Sequence, residues 1–266
     1  KEDDNYYIST LFQYNSSIPL IKENENYQNI LKPKMSFKIA PNDSKNLKNK
    51  DSRIDVNNIY SLNRISEDDV IEGGLSIAYG NDFSIFDKKN SREIFTLKVA
   101  NNLRLKENDD LPRANQIGEK TSNLFSEISY SPNNIITTKY NTSIKNNLSD
   151  VNYENLITEF RLNNIVTTFD YLNENDTVDK NSYLKNTTKL IIDNFNTLSF
   201  STRENKKSNL TEYYNLVYQY KNDCLAASIE YNKDFYSDRD LKPEENIFFK
   251  LTIIPFGESS SPNLRN

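Results

Sequence analysis

Covalent chemistry at neutral pH needs an activated nucleophile, an acid–base group or a metal, and this chain holds few residues able to supply them. Its 266 residues include no histidine and one cysteine, Cys224. Without imidazole, neither a Ser-His nor a Cys-His pair can form, and histidine metal sites are excluded with them. That disfavours lipase and deacylase chemistry. The carboxylate pairs Asp68/Asp69 and Asp109/Asp110 lie in polar connecting segments, where they read as solvated turn residues rather than acid–base pairs or cation sites. No glycine-rich loop is built to cradle a phosphate. The residue types therefore predict no catalytic residue, no metal ligand, no cofactor and no enzyme. Cys224 directly follows the turn-forming pair Asn222–Asp223, and two readings are open for it: an inert small residue, or half of a disulfide in an oxidising compartment.

The elements that must position these residues are strands. Thr211–Lys221, Cys224–Phe235 and Asn246–Phe256 alternate with period two. In the first, Tyr214, Leu216, Tyr218 and Tyr220 share a face opposite Asn215, Gln219 and Lys221; in the second, Leu225, Ala227, Ile229, Tyr231 and Phe235 stand opposite Ser228, Glu230, Asn232 and Asp234. Successive strand side chains point to opposite faces, so each segment has one apolar and one mostly polar surface. Similar segments lie near 6–14, 33–40, 54–62, 70–86, 92–104, 122–131, 135–145, 153–163, 164–173, 183–193 and 196–203, giving about fourteen strands. From residue 87 onward short turns (87–91, 132–134, 163–164, 194–195, 222–223) alternate with longer polar connections (105–121, 146–152, 174–182, 204–210, 236–245). Before it, the connections 15–32 and 41–53 are both long, which leaves room for a missed strand.

A soluble β-sandwich and a membrane β-barrel both alternate in this way. Short turns on one side and long loops on the other favour an all-β, antiparallel, up-and-down transmembrane barrel, present here in part. The mean hydropathy is −0.77 and no apolar run approaches the roughly 18 residues of a spanning helix; a barrel tolerates both, because only every second residue faces lipid. Aromatic residues make up 12%, all Tyr and Phe, and Tyr213, Tyr220, Tyr231 and Phe235 are candidates for interfacial girdles. The net charge of −5 and the broken Lys45–Lys50 cluster give no nucleic-acid footprint. Phe95, Leu97, Val99, Leu184, Leu190, Ile192, Leu198, Phe200, Ile247, Phe249, Leu251 and Ile253 are read as outward. Lys98, Ser199, Ser201, Glu230, Asn232, Lys250 and Thr252 are read as facing the lumen. Lys233 breaks the pattern, but it lies near a loop where its stem can snorkel.

Two stretches resemble a known family. Tyr214-Asn215-Leu216-Val217-Tyr218-Gln219-Tyr220-Lys221-Asn222-Asp223-Cys224-Leu225, followed by Ile229-Glu230-Tyr231, Arg239-Asp240-Leu241-Lys242-Pro243 and Phe248-Phe249-Lys250-Leu251, is similar to the C-terminus of the lipopolysaccharide-assembly outer-membrane proteins of the LptD, or organic-solvent-tolerance, family. Upstream, Tyr60-Ser61-Leu62-Asn63-Arg64-Ile65-Ser66-Glu67-Asp68-Asp69, continuing to Glu72-Gly73, resembles that family's segment Asn-Arg-Phe-Ser-Gly-x-Asp-Arg; Ile65, Glu67 and Val70 depart from it. Asn63, Arg64, Ser66 and Asp69 are the family-motif loop. Ser129-Tyr130-Ser131-Pro132 resembles a family strand end.

The resemblance implies a large barrel in the Gram-negative outer membrane that receives lipopolysaccharide and inserts it into the outer leaflet, without covalent chemistry. Implied partners are lipopolysaccharide, a plug lipoprotein, a periplasmic bridge protein reached through an upstream domain, the barrel-assembly machinery and outer-membrane lipid. It implies that Cys224 pairs with an upstream cysteine, and that the last strand, carrying Ile247, Phe249, Leu251, Ile253 and Pro255, forms one side of a lateral gate with one edge bare. Lys1 is not an initiator methionine and no signal peptide follows it, so residues 1–257 are expected to be the C-terminal part of a barrel and 258–266 a polar tail. The alternatives are a general outer-membrane channel or uptake barrel, and a soluble β-rich binding module.

Overall fold

Period-two segments rich in Val, Ile, Thr, Tyr and Phe, joined by Asn, Asp and Ser, favour extended chain and tight reversals. The computed structural model describes residues 10–41, 44–50, 52–65, 70–175, 180–235, 243–253, 257–260 and 264–265. Among these it holds sixteen strands and no helix: β1 Phe12–Ser17, β2 Leu20–Glu23, β3 Tyr27–Ala40, β4 Gly74–Asp87, β5 Arg92–Arg104, β6 Leu124–Tyr130, β7 Ile136–Ile144, β8 Val151–Leu162, β9 Ile165–Glu174, β10 Ser182–Ile191, β11 Asn196–Asn205, β12 Leu210–Lys221, β13 Leu225–Asp234, β14 Glu244–Ile253, β15 Gly257–Ser260 and β16 Leu264–Arg265. Fourteen strands follow one hydrogen-bonded path, β1 to β3 and then in chain order to β15, with β2 paired to β3 and β16 to β14 beside it. The expected all-β, antiparallel, up-and-down fold of about fourteen strands is what forms, and the path does not close on itself among the described residues.

The chain divides into two compact units: Lys1–Ser131 with Lys139–Glu154 and Glu174–Lys180, and Pro132–Thr138 with Asn155–Asn173 and Asn181–Asn266. In the first, the β3–β4 and β5–β6 connections cover one face of the sheet. Leu47, Ile54, Val56, Ile59 and Ile65 from one connection, and Leu111 and Ile117 from the other, bury themselves against Ala78, Ala100 and Phe125 of the strands. This corrects the strand expected over 54–62. Asp55 Oδ1 accepts from the backbone N–H of Asn57 (2.7 Å) and Asn58 (3.0 Å), and Asn58 Oδ1 accepts from that of Asp55 (2.9 Å). This reciprocal turn outcompetes a ladder, so the apolar residues cap a core instead of alternating. Of the expected strand over 6–14, residues 6–9 lie outside the described residues and β1 begins at Phe12, while the long connection 15–32 holds the end of β1, β2 and the start of β3. Pro19 interrupts what would otherwise be one strand, because it has no N–H to donate.

In the second unit β9, β10, β11, β13 and β14 have ten residues each and β12 has twelve, close to the roughly 9–11 residues of a tilted membrane-spanning strand. Register aligns one apolar face: Phe200, Leu216, Tyr231 and Ile247 in one row, Leu198, Tyr218, Ile229 and Phe249 in the next. Its large side chains stay open, with Phe249 50%, Ile229 47% and Leu216 41% exposed. A soluble sheet would cover such a face; lipid requires it. Lys233 on this face is paired with Glu245 directly opposite it. Phe200, Tyr214 and Phe235 cluster towards one end of the strands and Phe195 and Tyr220 at the other. Tyr231 stands mid-strand, and Tyr213 lies on the opposite face under the Arg203 guanidinium, so these two leave the expected girdle.

Connections 163–164, 192–195 and 222–224 gather at one end of this unit, and the turn 206–209 with the strand ends Asp234 and Glu244 at the other. Asn163 and Asn209 take positive φ values of 50° and 52°, as asparagine allows. The connection expected to be long over 204–210 is a four-residue turn, 206–209, because β11 and β12 stay paired out to Asn205 and Leu210. The expectation that the last strand pairs on one side only is also corrected. β14 pairs with β13 along ten residues and, on its other edge, with β15 and β16; unpaired backbone groups there find partners in the chain that follows. Pro255 lies outside the described residues. In intact cells carrying Cys224→Ser, Lys207→Cys should react with a membrane-impermeant maleimide while Asn164→Cys stays unlabelled; the reverse pattern would invert the assigned orientation.

Candidate functional site

In the first unit the register places Lys38, Ser76 and Arg104 side by side on β3, β4 and β5. Two cations thus stand two strand spacings, about 10 Å, apart, on a face closed over by the β3–β4 connection. Buried charge requires a counter-charge, and the connection provides it in Glu72. Arg64 grips this carboxylate with both arms of its fork, Nη2 to Oε1 at 2.5 Å and Nε to Oε2 at 2.7 Å. Arg104 Nη2 donates to Oε1, and Lys38 Nζ lies 3.4 Å from Oε2.

Three cations against one carboxylate leave excess positive charge, which backbone and amide oxygens absorb. Arg64 Nη1 donates to Asn102 Oδ1 (2.9 Å) and Ile59 O (3.2 Å), Arg104 Nη1 to Gly73 O (2.7 Å), and Lys38 Nζ to Leu62 O (2.9 Å). Burial pushes the Glu72 carboxyl up, but Arg64, joined by Lys38 and Arg104, outweighs it and holds the group down at about 2.

Two glycines make room for this arrangement. Gly74 has φ +93°, and a Cβ there would meet Arg104 Nη1 at 2.9 Å. At Gly80 a Cβ would lie 2.2 Å from Val99 O and 2.4 Å from Tyr60 Oη, so the bare backbone lets the Tyr60 ring lie on the sheet. Gln13 Nε2 holds Tyr60 O at 2.6 Å.

Further along the same face, Lys98 Nζ donates to Glu127 Oε1 (2.8 Å) and Asn57 Oδ1 (3.0 Å), while Lys139 Nζ binds Glu127 Oε2 at 2.9 Å. Asn57, Glu127 and Lys139 border a cavity of about 220 Å³ shared with Arg53, Asp55, Asn141 and Tyr153. Arg53 lies 4.4 Å over the Tyr153 ring and pairs with Glu174.

The second unit carries a different surface. On its polar face Ser201, Asn215, Asn232 and Asn246 form one row, and Ser199, Val217, Glu230 and Phe248 the next. Asn215 Nδ2 donates to Glu230 Oε1 and to Asn232 Oδ1, both at 2.5 Å. Ser201 and Thr187 hydroxyls meet at 3.1 Å. Lys250 and Thr252 share this face opposite Ser228 and Ala226. Such a ladder offers hydroxyl and amide groups to a hydroxyl-rich solute or to water, and nothing in it activates a nucleophile.

A family model described as LptD, LPS transport system D, matches residues 3–206. The chain belongs to the LptD family. A search of curated proteins gave no match. Membership makes this an LptD-type barrel portion of a lipopolysaccharide transport system, and with the antiparallel sheet it points to the Gram-negative outer membrane.

The LptD motif residues fare differently. Arg64 is fully buried at the centre of the cluster and Asn63 is exposed beside it, while Ser66 and Asp69 lie outside the described residues. Ile65, where the family has an aromatic, joins the apolar core. Of the expected lumen residues, Ser199, Ser201, Glu230, Asn232, Lys250 and Thr252 share one face of the second unit, and Lys98 sits on the covered face of the first. Ile247, Phe249, Leu251 and Ile253 line the apolar face of β14. Cys224 is exposed and unbridged, in a turn where Asn222 Oδ1 accepts from its N–H at 2.9 Å. Lys38, Asn102 and Arg104 escape sequence reasoning; a lone lysine between Phe37 and Ile39 is their one signal.

Because the Glu72 carboxyl is held below its ordinary value of 4.5, its stabilisation is complete above about pH 4.5 and is lost as pH falls towards 2. Glu72→Gln should abolish that acid-dependent loss and lower stability by about 3–5 kcal/mol at neutral pH, since it strands the cations; urea unfolding of the full-length protein in detergent across pH 2–7 measures both. Gly80→Val should destabilise the same region by about 1–3 kcal/mol through overpacking, in the same assay.

Proposed function

We propose that this chain forms part of the wall of an outer-membrane barrel through which lipopolysaccharide passes to the outer leaflet, with β14 as one side of a lateral gate. The observation that carries the reading is the two-faced wall of the second unit: an exposed apolar band backed by the ladder Ser201–Asn215–Asn232–Asn246, in a chain of the LptD family. The apolar band suits lipid and the acyl chains; the ladder suits the sugars. Lys98, Ser199, Ser201, Glu230, Asn232, Lys250 and Thr252 face the lumen in this reading, where a charge avoids the roughly 2–4 kcal/mol cost of a lipid-facing Lys or Arg at the midplane. A plug lipoprotein sits within the barrel, a periplasmic bridge protein delivers the lipid through an upstream domain, and the barrel-assembly machinery inserts the protein. Residues 1–257 belong to the barrel.

In the full-length protein, a disulfide locking β14 to the strand that closes the barrel against it should stop surface delivery of lipopolysaccharide while assembly continues. Normal surface lipopolysaccharide at complete crosslinking would refute the gate. Cys224, exposed beside a turn assigned to the periplasmic end, is oxidised to an upstream cysteine. Wild type and Cys224→Ser should therefore migrate differently on non-reducing gels; equal migration with a freely alkylated thiol would reject the bond.

A further inference from the structure

Register brings two cations face to face on the polar side of the second unit. Arg203 of β11 stands directly opposite Lys185 of β10 and, on its other flank, opposite Tyr213 of β12. Like charges directly opposed across a ladder repel, so the pair needs counter-charge or a ligand. Arg203 is partly matched. Its Nε donates to Glu212 Oε2, while the other oxygen of that carboxylate accepts from Asn205 Nδ2 at 3.0 Å. The guanidinium carbon lies 5.1 Å from the centre of the Tyr183 ring and 5.6 Å from that of Tyr213, close enough for both rings to hold it in place. The result is a fixed fork. Among the described residues Nη1 and Nη2 have no acceptor, and the side chain is 39% exposed. Lys185 forms no ion pair among the described residues either; Asp170, directly opposite it on β9, accepts instead from Asn155 Nδ2 at 2.7 Å.

A guanidinium whose terminal nitrogens are unengaged offers two parallel donors, and an ammonium beside it adds a point charge. A phosphate monoester brings three acceptor oxygens and nearly two negative charges at neutral pH, so it can answer both cations where a carboxylate answers one. We propose that Arg203 and Lys185 form a binding station for a phosphate group carried by a saccharide moving along the polar face. Glu212 and Asp170 temper it. With their charges close by, an anion is held without being trapped, as a site on a route of passage requires. Lys189 extends the path: it lies four residues along β10, about 13 Å away on the same face, opposite the uncharged Val166 and Ser199. The inference rests on the reading of this face as lumen-facing and goes beyond it, because the serine and asparagine ladder suits neutral hydroxyls and assigns no place to charge.

The test is arginine modification by phenylglyoxal in the full-length protein in detergent, read site by site by mass spectrometry. Arg203 should react, and inorganic pyrophosphate at about ten times its dissociation constant should slow the reaction about ten-fold. Arg161, exposed and paired with Glu159, is the internal control and should keep its rate. Lipopolysaccharide should protect Arg203 in the same way, and enzymatically dephosphorylated lipopolysaccharide should not. Lys185→Gln should raise the pyrophosphate needed for half-protection by about ten-fold or more, the effect of losing one charged hydrogen-bond donor; Lys185→Arg should keep it near wild type. In cells, Lys185→Glu should lower surface lipopolysaccharide several-fold with the amount of assembled barrel unchanged.

Equal rates at Arg203 with and without pyrophosphate and lipopolysaccharide would overturn the station and leave the lumen reading standing. Full protection by dephosphorylated lipopolysaccharide would overturn the phosphate assignment. Protection by the plug lipoprotein alone, with no anion added, would give the fork to an acidic stretch of that partner and overturn it as well. Pyrophosphate protection together with normal export in Lys185→Glu would reveal a site for free phosphate and remove it from the saccharide's route. Failure of the lumen reading has its own signature: Arg203 would then escape phenylglyoxal altogether while Arg161 reacts.

Discussion

Glu72 has to neutralise three cations at once: Lys38 on β3, Arg104 on β5, and Arg64 from its own β3–β4 connection. Without that carboxylate, Lys38 and Arg104 would sit two strands apart under a covered face with only carbonyls to face them. Removing one partner of a buried ionic cluster costs several kcal/mol, because the others keep their desolvation penalty. The β3–β4 connection is thus held at the wall by a constraint of the sheet's own register. The apolar contacts of Ile54, Val56, Ile59 and Ile65 then follow, with Gly80 clearing the ground for Tyr60.

The second unit follows the opposite logic. Its polar face carries amides and hydroxyls that bond to one another across strands, and its apolar face carries the large side chains that remain exposed. Among the described residues the one lysine on that apolar face, Lys233, is matched by Glu245 at the strand end. A wall of this kind resists distortion through its ladders and leaves its faces available for whatever lies on either side.

Much of this was legible in the sequence, and the exceptions have physical causes. β12, β13 and β14 could be read directly, because alternation, turn residues and strand length agree. The segment 54–62 misleads because Ile54 and Val56 alternate like a strand, yet the Asp55/Asn58 turn chemistry is stronger than the ladder. The start of β3 is hidden by its polar composition and by Pro33, whose missing N–H argues against a central strand. Arg64 and Glu72 stand out as parts of a motif, but their meaning does not: Lys38 and Arg104 become partners only when register brings residues far apart in sequence onto one face. The occupants of the second edge of β14 were unreadable, since Gly257–Ser260 has no strand signature of its own.

The strict separation of the two faces also bears on how such a chain travels. Taken residue by residue it is hydrophilic, with a mean hydropathy of −0.77 and a net charge of −5. Phe249, Leu251 and Ile253 are interleaved with Lys250 and Thr252, so an extended, unpaired chain presents water with a mixture rather than a greasy run. Machinery that selects continuous apolar segments for insertion as helices has nothing to seize on. Affinity for lipid is therefore latent in the order of the residues. It is expressed only when backbone pairing sorts them to opposite sides, so that the act of folding is itself the act of becoming a membrane protein.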